Sequence, residues 1–478
     1  MATKSPPAEP LVVIFGSTGT GKSDLAVDLA TRFNGEIINS DAMQMYKGLP
    51  IITNKISEAE RRGIPHHLLG NIGLEEETWV VGVFKREATR LVRDIRSRGK
   101  LPIVVGGTHY YINGLLFENT LVEDHATRSD NIPKQAEDGK SAFPILNAST
   151  EEVLEKLREV DPVMADRWHP NDRRKIQRSL EIYLTTGRRA SDIYEEQRRQ
   201  TDEAKASSAE SQPQTSSQAL MLWVYSKPSV LNERLNKRVD KMLDGGLMAE
   251  VSEMHEYLQT RSASGHTVDH SKGIWQSIGF KEFEPYLGAA SEGGSSADET
   301  RQLEDLKQTA LERMKTATRQ YAKGQVRWIT YKTLPLIRQA QALDRLFLLD
   351  STDIDRWRED VSERGVDITR RFLAGEQLPT PTDLSETARE VLASKLEEST
   401  KEETRSQKTC DLCKTTTVTE EAWQKHIKGR PHQRAVRHAK RTALVPHPIP
   451  TALAVAHQDR PSSPEYSGLD FAVDDEKS

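Results

Sequence analysis

Leu11-Val-Val-Ile-Phe15, followed without a break by Gly16-Ser-Thr-Gly-Thr-Gly21-Lys22-Ser23, decides the fold. Five consecutive apolar residues read as a strand buried on both faces. Beyond the glycines, Leu25, Leu29 and Phe33 recur every four residues, which is one face of a helix. The segment between them matches G-x-x-x-x-G-K-S/T. Glycines let backbone N–H groups close around phosphate oxygens, the lysine adds a point charge, and the serine offers a hydroxyl to Mg²⁺. Gly16, Ser17, Thr18, Gly19, Thr20, Gly21, Lys22 and Ser23 are therefore expected to hold a di- or triphosphate.

Outward from this loop the pattern stays α/β. Glu36–Asn39 reads as a second strand, 79–98 as a helix ended by Gly99, and Leu101–Val105 as a strand running into Gly106-Gly107. Leu220–Tyr225 is a further strand, and 228–244 a helix opened by Pro228 and closed by Gly245-Gly246. Alternating strands and helices imply a parallel sheet with ligands at the strand C-termini. The expected organisation is a catalytic core over 10–119 and 220–350, interrupted by a helical insertion over 120–202. A linker-like 351–405, a small Cys/His unit over 406–441 and an unstructured tail over 442–478 follow. Polar, apolar-poor stretches at 203–219 and 288–299 read as disordered insertions, and 380–408 as a charged linker.

Composition sets the bounds. The 478 residues, 36% of them apolar and 29% charged, suit two or three folding units diluted by solvated segments. No run of 18 apolar residues exists, so no transmembrane helix is expected, and MATKSPPAEP has no apolar stretch of a secretory leader. Two cysteines exclude a disulfide framework and fit a reducing compartment. The net charge of −5 does not exclude nucleic acid, because basic surfaces can be local.

An ordinary P-loop NTPase carries a metal-binding Asp at the end of a second strand. Here the 101–105 strand ends in Gly106-Gly107-Thr108 with no acid, and the nearest strand-end acid is Asp41. A carboxylate there can be a metal ligand, a general base or a solvated loop acid. The phosphate loop alone does not choose.

Seven blocks in order resemble the tRNA dimethylallyltransferase (tRNA isopentenyltransferase) family. They are Gly16–Ser23, Ile38–Tyr46, Pro65–Leu68, Gly106–Tyr111, Arg234–Arg238, Ile278–Glu282 and Thr318–Lys323. The resemblance implies a P-loop that binds the diphosphate of dimethylallyl diphosphate with Mg²⁺. The implied reaction transfers the dimethylallyl group to N6 of adenosine 37 beside the tRNA anticodon. It makes Asp41 the proton acceptor, places Thr108 against the target nucleoside, and assigns Arg238, with Arg234 second, to the diphosphate. Ala42, Met43 and Gln44 would read the flipped adenosine. One departure is Gly324, where the family usually has a basic residue; a helical glycine there costs about 1 kcal/mol relative to Ala. His66 and His67 read as structural.

Two regions point to RNA. Asn171-Asp172 caps an expected helix over 172–186 closed by Gly187, and it carries Arg173, Arg174, Lys175 and Arg178. The resemblance implies a helical domain here gripping the anticodon stem-loop through Arg174, Lys175, Ile176, Gln177 and Arg178, with the target base flipped from its stack. Cys410-x2-Cys413-x12-His426-x5-His432 has the ligand spacing of a C2H2-type zinc finger. Zn²⁺ would supply its folding energy, and Trp423 would fill its core. Lys425, Lys428, Arg430, Arg434, Arg437, Lys440 and Arg441 make the unit basic. It reads as a second tRNA contact, with protein docking as the alternative. The expected partners are tRNA and dimethylallyl diphosphate, with no membrane and a monomeric chain. A small-molecule P-loop kinase and a non-catalytic RNA-binding adaptor are the competing readings. The location expected is cytoplasmic, with mitochondrial and nuclear pools left open.

Overall fold

The computed structural model describes residues 5–76, 78–117, 143–196, 199, 219–265, 268–270, 272–292, 296–400 and 405–443. The expected disordered segment at 203–218 and the tail from 444 lie outside these residues. Two compact units divide the chain, 1–404 and 405–478.

The first unit is built on a six-stranded sheet. Its strands are β1 Leu11–Phe15, β2 Gly35–Asn39, β3 His66–His67, β4 Leu101–Gly106, β5 Ala219–Tyr225 and β6 Leu346–Asp350. All pairings are parallel, in the order β3-β2-β4-β1-β5-β6. The chain leaves β1 toward β2 and later returns to β5 on the other side. The C-terminal end of β1 is therefore the topological switch point, where open α/β sheets bind ligands. Successive side chains alternate between two cores. Val12 and Ile14 face the helices Lys22–Arg32 and Arg364–Ala374, packing with Leu25, Leu29, Ile368 and Phe372. Leu11, Val13 and Phe15 face the opposite core, where Phe15 stacks on Trp223 at 6.4 Å.

The helices expected over 79–98, 172–186 and 228–244 form as Val81–Ser97, Arg173–Thr186 and Pro228–Asp244. Asp172 caps Lys175 N–H, and Gly187 ends its helix at φ +68°. Two strands of this sheet escape the sequence reading. β3 is too short to show periodicity, and it pairs His66 and His67 with Ile37 and Ile38. β6 is a short apolar run, which periodicity cannot tell from a buried helix segment.

Two expected unstructured stretches need correction. Residues 288–292 end the helix Phe280–Glu292, and Ser296 with Glu299 forms the capping box that opens the helix Ala297–Trp328. Within 380–408, Glu386–Glu398 is a helix that buries Ala388 and Leu392 in the main core. Ala388, Val391, Leu392 and Leu396 recur at helical spacing, a stripe that the charged composition of the segment outweighs in the sequence reading.

The insertion has its own core, with Val153, Leu157, Ile176 and Leu180 from the helices Thr150–Val160 and Arg173–Thr186. In the second unit a hairpin of Arg405–Thr409 and Thr416–Thr419 precedes the helices Glu420–Lys428 and Arg430–Ala443. Among the described residues no helix is long and apolar enough to cross a membrane.

A buried carboxylate ties the first strands together. Glu36, 2% exposed, accepts from Arg98 Nη2, Lys100 Nζ and His67 Nε2, each at 2.8 Å. The Arg98 bonds hold its carboxyl well below the usual carboxylate range. Glu36→Gln leaves three donors facing a neutral amide, and the partly exposed Arg98 and Lys100 can rehydrate. Urea unfolding at pH 7 should show a loss of about 1–3 kcal/mol. A group depressed on folding stabilises above its unfolded pKa, so the difference between the two proteins should shrink as pH falls below about 4.3.

Candidate active site

The loop after β1 wraps the N-terminus of the helix Lys22–Arg32, with Gly19 and Gly21 at φ +82° and +83°. Only glycine adopts such backbone without strain, and this curvature turns N–H groups toward a common centre. Side chains from distant segments close on the loop. Lys22 Nζ donates to Ser17 O at 2.6 Å, and Arg238 Nη1 to Thr18 Oγ1 at 2.9 Å. Arg234 Nη1 donates to Gly19 O at 3.3 Å, while its Nη2 donates to Ser351 O at 2.8 Å and Thr352 O at 3.2 Å. One helical face of Pro228–Asp244 thus brings both arginines to the cradle, as their spacing predicts.

Asp41 stands on the turn leaving β2. Asn39 Nδ2 fixes that turn by donating to Asp41 O at 3.0 Å and Leu68 O at 2.8 Å. The Asp41 carboxylate accepts from Met43 N–H at 3.1 Å. Because β2 pairs with β4, the β4 end lies alongside: Thr108 N–H donates to Ser40 O at 3.2 Å, and Thr108 Oγ1 accepts from Ala42 N–H at 3.0 Å. A side chain at Gly107 would displace Gln325 from its place between the two walls. An added Cβ would lie 2.4 Å from Gln325 Nε2 and 3.3 Å from Asp41 Oδ2.

Gln325, 5% exposed, joins the two walls. Its Oε1 accepts from Thr18 N–H at 2.7 Å and its Nε2 donates to Gly107 O at 3.0 Å. Sequence reading missed it, although a signal existed: Thr318, Ala322, Gln325 and Ile329 form a helical stripe of buried positions, and an amide on such a stripe needs partners. Gly324, one residue earlier, faces open space.

The charges in this cleft bias one another. Burial pushes Lys22 down to about 8, against the pull of Asp41 and with help from Arg238. Burial raises Asp41, opposed by Lys22, backbone N–H groups and Arg238. Arg238 is lowered to about 10 by burial, opposed by Asp41. His109, 4% exposed beside Phe15, is lowered to about 3 by burial and then by Lys22, so it is neutral.

The structure therefore brings together the whole loop Gly16–Ser23 with Asp41, Thr108, Arg234 and Arg238. Gln44 turns away from Asp41, its Nε2 donating to Thr53 O at 3.3 Å and Asn54 O at 3.0 Å. That neighbouring loop is held by the Glu250 carboxylate, which accepts from Ile51 and Ile52 N–H at 2.8 and 2.7 Å. Ala42 is nearly buried and Met43 half-buried.

On the insertion helix, Arg174, Lys175 and Arg178 are exposed and Gln177 half-buried. Ile176 corrects an expectation: its side chain is fully buried in the insertion core and does not face RNA, because its position falls on the apolar stripe shared with Leu180. Arg173 also turns inward, its Nη2 donating to Leu146 O at 3.1 Å.

In the second unit one ligand atom each of Cys410, Cys413, His426 and His432 lies within 4.8 Å of the others. His432 Nδ1 is 3.6 Å from Cys410 Sγ and 3.4 Å from Cys413 Sγ, and His426 Nε2 is buried without a hydrogen-bond partner. Two thiols and two imidazoles so placed could hold a metal ion.

Known proteins are similar to this chain over most of its length. The IPP transferase family model matches residues 44–332. The chain is 37% identical over 451 residues to tRNA dimethylallyltransferase of Schizosaccharomyces pombe, covering 91% of this chain and 96% of that one. Against the Homo sapiens tRNA dimethylallyltransferase it is 37% identical over 435 residues, covering 90% and 87%. A solved eukaryotic dimethylallyltransferase acting on tRNA superposes with a TM-score of 0.71 at 36% identity, covering 91% of this chain and 98% of that one.

The lowered Lys22 ammonium gives a test of whether this loop holds pyrophosphate. Its ammonium, lowered to about 8, loses its proton above that pH, so the free cradle loses a positive charge. Calorimetric titration should show wild-type affinity falling above about pH 8 relative to Lys22→Arg, whose guanidinium stays charged. Parallel profiles for the two proteins would contradict this role for Lys22.

Proposed function

Because the chain belongs to the tRNA dimethylallyltransferase family and transfers a dimethylallyl group from dimethylallyl diphosphate to N6 of adenosine 37, we propose that Asp41 is its general base and the Gly16–Ser23 loop its leaving-group site. The observation that carries this reading is the placement of Asp41 beside Gly107, with Lys22 and Arg238 within electrostatic reach but bonded elsewhere.

The N6 lone pair is delocalised into the purine, so the amine attacks well only as its proton is accepted. The N6–C1 bond forms, the C1–O bond breaks, the proton passes to the Asp41 carboxylate, and diphosphate departs. A positioned base contributes roughly 10²–10⁴-fold. Burial, which raises Asp41, strengthens it as a base. Negative charge grows on the leaving oxygens, so loop N–H groups, Lys22 and Arg238 bind diphosphate more strongly in the transition state. Thr108, bonded to Ser40 and Ala42, fixes the Asp41 turn and presents its hydroxyl side to the nucleoside.

Mg²⁺ fits this site as an ion carried by the diphosphate, with the Ser23 hydroxyl as protein donor, and would neutralise the departing charge. The Cys/His cluster fits Zn²⁺: two sulfurs lie 3.4 and 3.6 Å from one imidazole nitrogen, close to the edge of a tetrahedral site with metal–ligand bonds of about 2.0–2.3 Å. We read this unit as a C2H2-type zinc finger gripping tRNA through Arg430, Arg434 and Arg437. Arg174, Lys175 and Arg178 of the insertion would hold the anticodon stem-loop. One chain supplies both cradle and base, which favours an active monomer. Two thiols kept as metal ligands suit a reducing compartment, so we place the protein in the cytoplasm.

Asp41→Asn preserves shape and can hydrogen-bond the amine but cannot accept its proton. Single-turnover transfer should fall by about 10²–10⁴-fold with near-normal binding of both substrates. A wild-type rate would remove Asp41 as base, and a loss relieved by high Mg²⁺ would make it a metal-holding group. Zinc removal by a chelator should weaken tRNA binding and flatten its salt dependence while leaving transfer at saturating tRNA intact. An unchanged salt slope would favour a protein-docking finger.

A further inference from the structure

Two large aromatic rings stand exposed at the edge of the cleft. Tyr110, 45% exposed, begins the helix His109–Leu116 two residues after Thr108, and Trp328, 38% exposed, ends the long helix three residues after Gln325. They meet edge to face, with ring centroids 6.0 Å apart at 68°. The next residue shows the contrast: Tyr111 is buried, stacked on Phe84 at 4.3 Å. A third ring, Tyr321, is 42% exposed and bonded to Gln325 within the field of Asp41. Tyr321, Gln325 and Trp328 follow one another at spacings of four and three, so they share one face of the helix.

Single exposed apolar residues are ordinary, but grouped aromatics beside a polar cleft mark a binding surface. Charge continues the surface toward the insertion, because Arg174 lies within electrostatic reach of Tyr111. Its occupant follows from the chemistry. The target adenosine must leave its stack to reach Asp41, and the bases beside it then lose a stacking partner. Unstacked bases in RNA loops are held on aromatic side chains.

Resting on the prenyl-transfer reading above, we propose that Tyr110 and Trp328 form a stacking platform for a nucleobase adjacent to the target adenosine. The platform holds the loop open and sets specificity at that neighbouring position, while Asp41 and the cradle act on the flipped base.

The test is direct binding of an anticodon stem-loop RNA to the full chain, with loops carrying an abasic nucleotide on the 5′ or the 3′ side of the target. Trp328→Ala should weaken the intact loop by roughly 5- to 150-fold, the span measured for one aromatic–base stack. On one of the two abasic loops the same substitution should change affinity less than about twofold, because the stacking partner is already gone. Pyrophosphate affinity reports whether the variant is folded. If it is lost, Tyr110→Ala carries the same comparison, and Trp328→Phe, which keeps a ring, should stay within about threefold of wild type. An equal loss on intact and both abasic loops, or no loss on the intact loop, overturns the platform. A wild-type chain that binds no anticodon loop would instead overturn the functional reading on which it rests.

Discussion

Lys22 and Arg238 feel Asp41 without being spent on it. The ammonium donates to Ser17 O and the guanidinium to Thr18 Oγ1, both on the phosphate loop, while the carboxylate takes its hydrogen bond from the Met43 N–H. A direct ion pair would hold the acid in its charged form and make it a poor base, and would also occupy the cations that a diphosphate needs. Separation by one loop keeps an acid of raised pKa and two cations of lowered pKa in the same desolvated cleft. In such surroundings charges act strongly on one another and on a ligand. Everything that shapes the site serves this separation.

The sheet supplies the distances. Placing β4 between β1 and β2 puts the end of β4 between the phosphate loop and the Asp41 turn. That wedge must be thin, which is why Gly106 and Gly107 occupy it: a Cβ on Gly106 would strike Ser40 at 2.3 Å, and one on Gly107 would strike Gln325. Gln325 then spans the gap with one acceptor on Thr18 N–H and one donor on Gly107 O. At the N-terminal end of β2, Glu36 binds side chains from β3, from the turn before β4 and from the end of the preceding helix, which holds the strand order.

Much of this was legible in the sequence because its signals are local. An apolar strand, a glycine-rich turn and a helical repeat are contiguous, so the phosphate loop could be read directly. Caps at Asp172 and Gly187 fixed one helix for the same reason. The acid and Thr108 were readable as residues, but their role came from resemblance, since nothing local says that β2 and β4 are neighbours. Gln325 and Glu250 escaped because their partners lie 218 and about 200 residues away. Ile176 and Leu180 show their shared apolar stripe in the sequence; only the resemblance set Ile176 against RNA, and the stripe prevails. In the helix Glu386–Glu398 the charged residues dominate the composition, although Ala388, Val391, Leu392 and Leu396 carry a helical stripe.

The central claim is that one cleft holds the leaving diphosphate in the glycine-rich loop and the attacking amine at Asp41. The most direct measurement is a structure of the full chain with an unreactive thio-linked dimethylallyl diphosphate analogue and an anticodon stem-loop RNA. Lys22 Nζ should have moved from Ser17 O to a phosphate oxygen, and N6 of the flipped adenosine should lie within about 3 Å of the Asp41 carboxylate. An amine bonded to another group, with Asp41 facing metal or solvent, would contradict it.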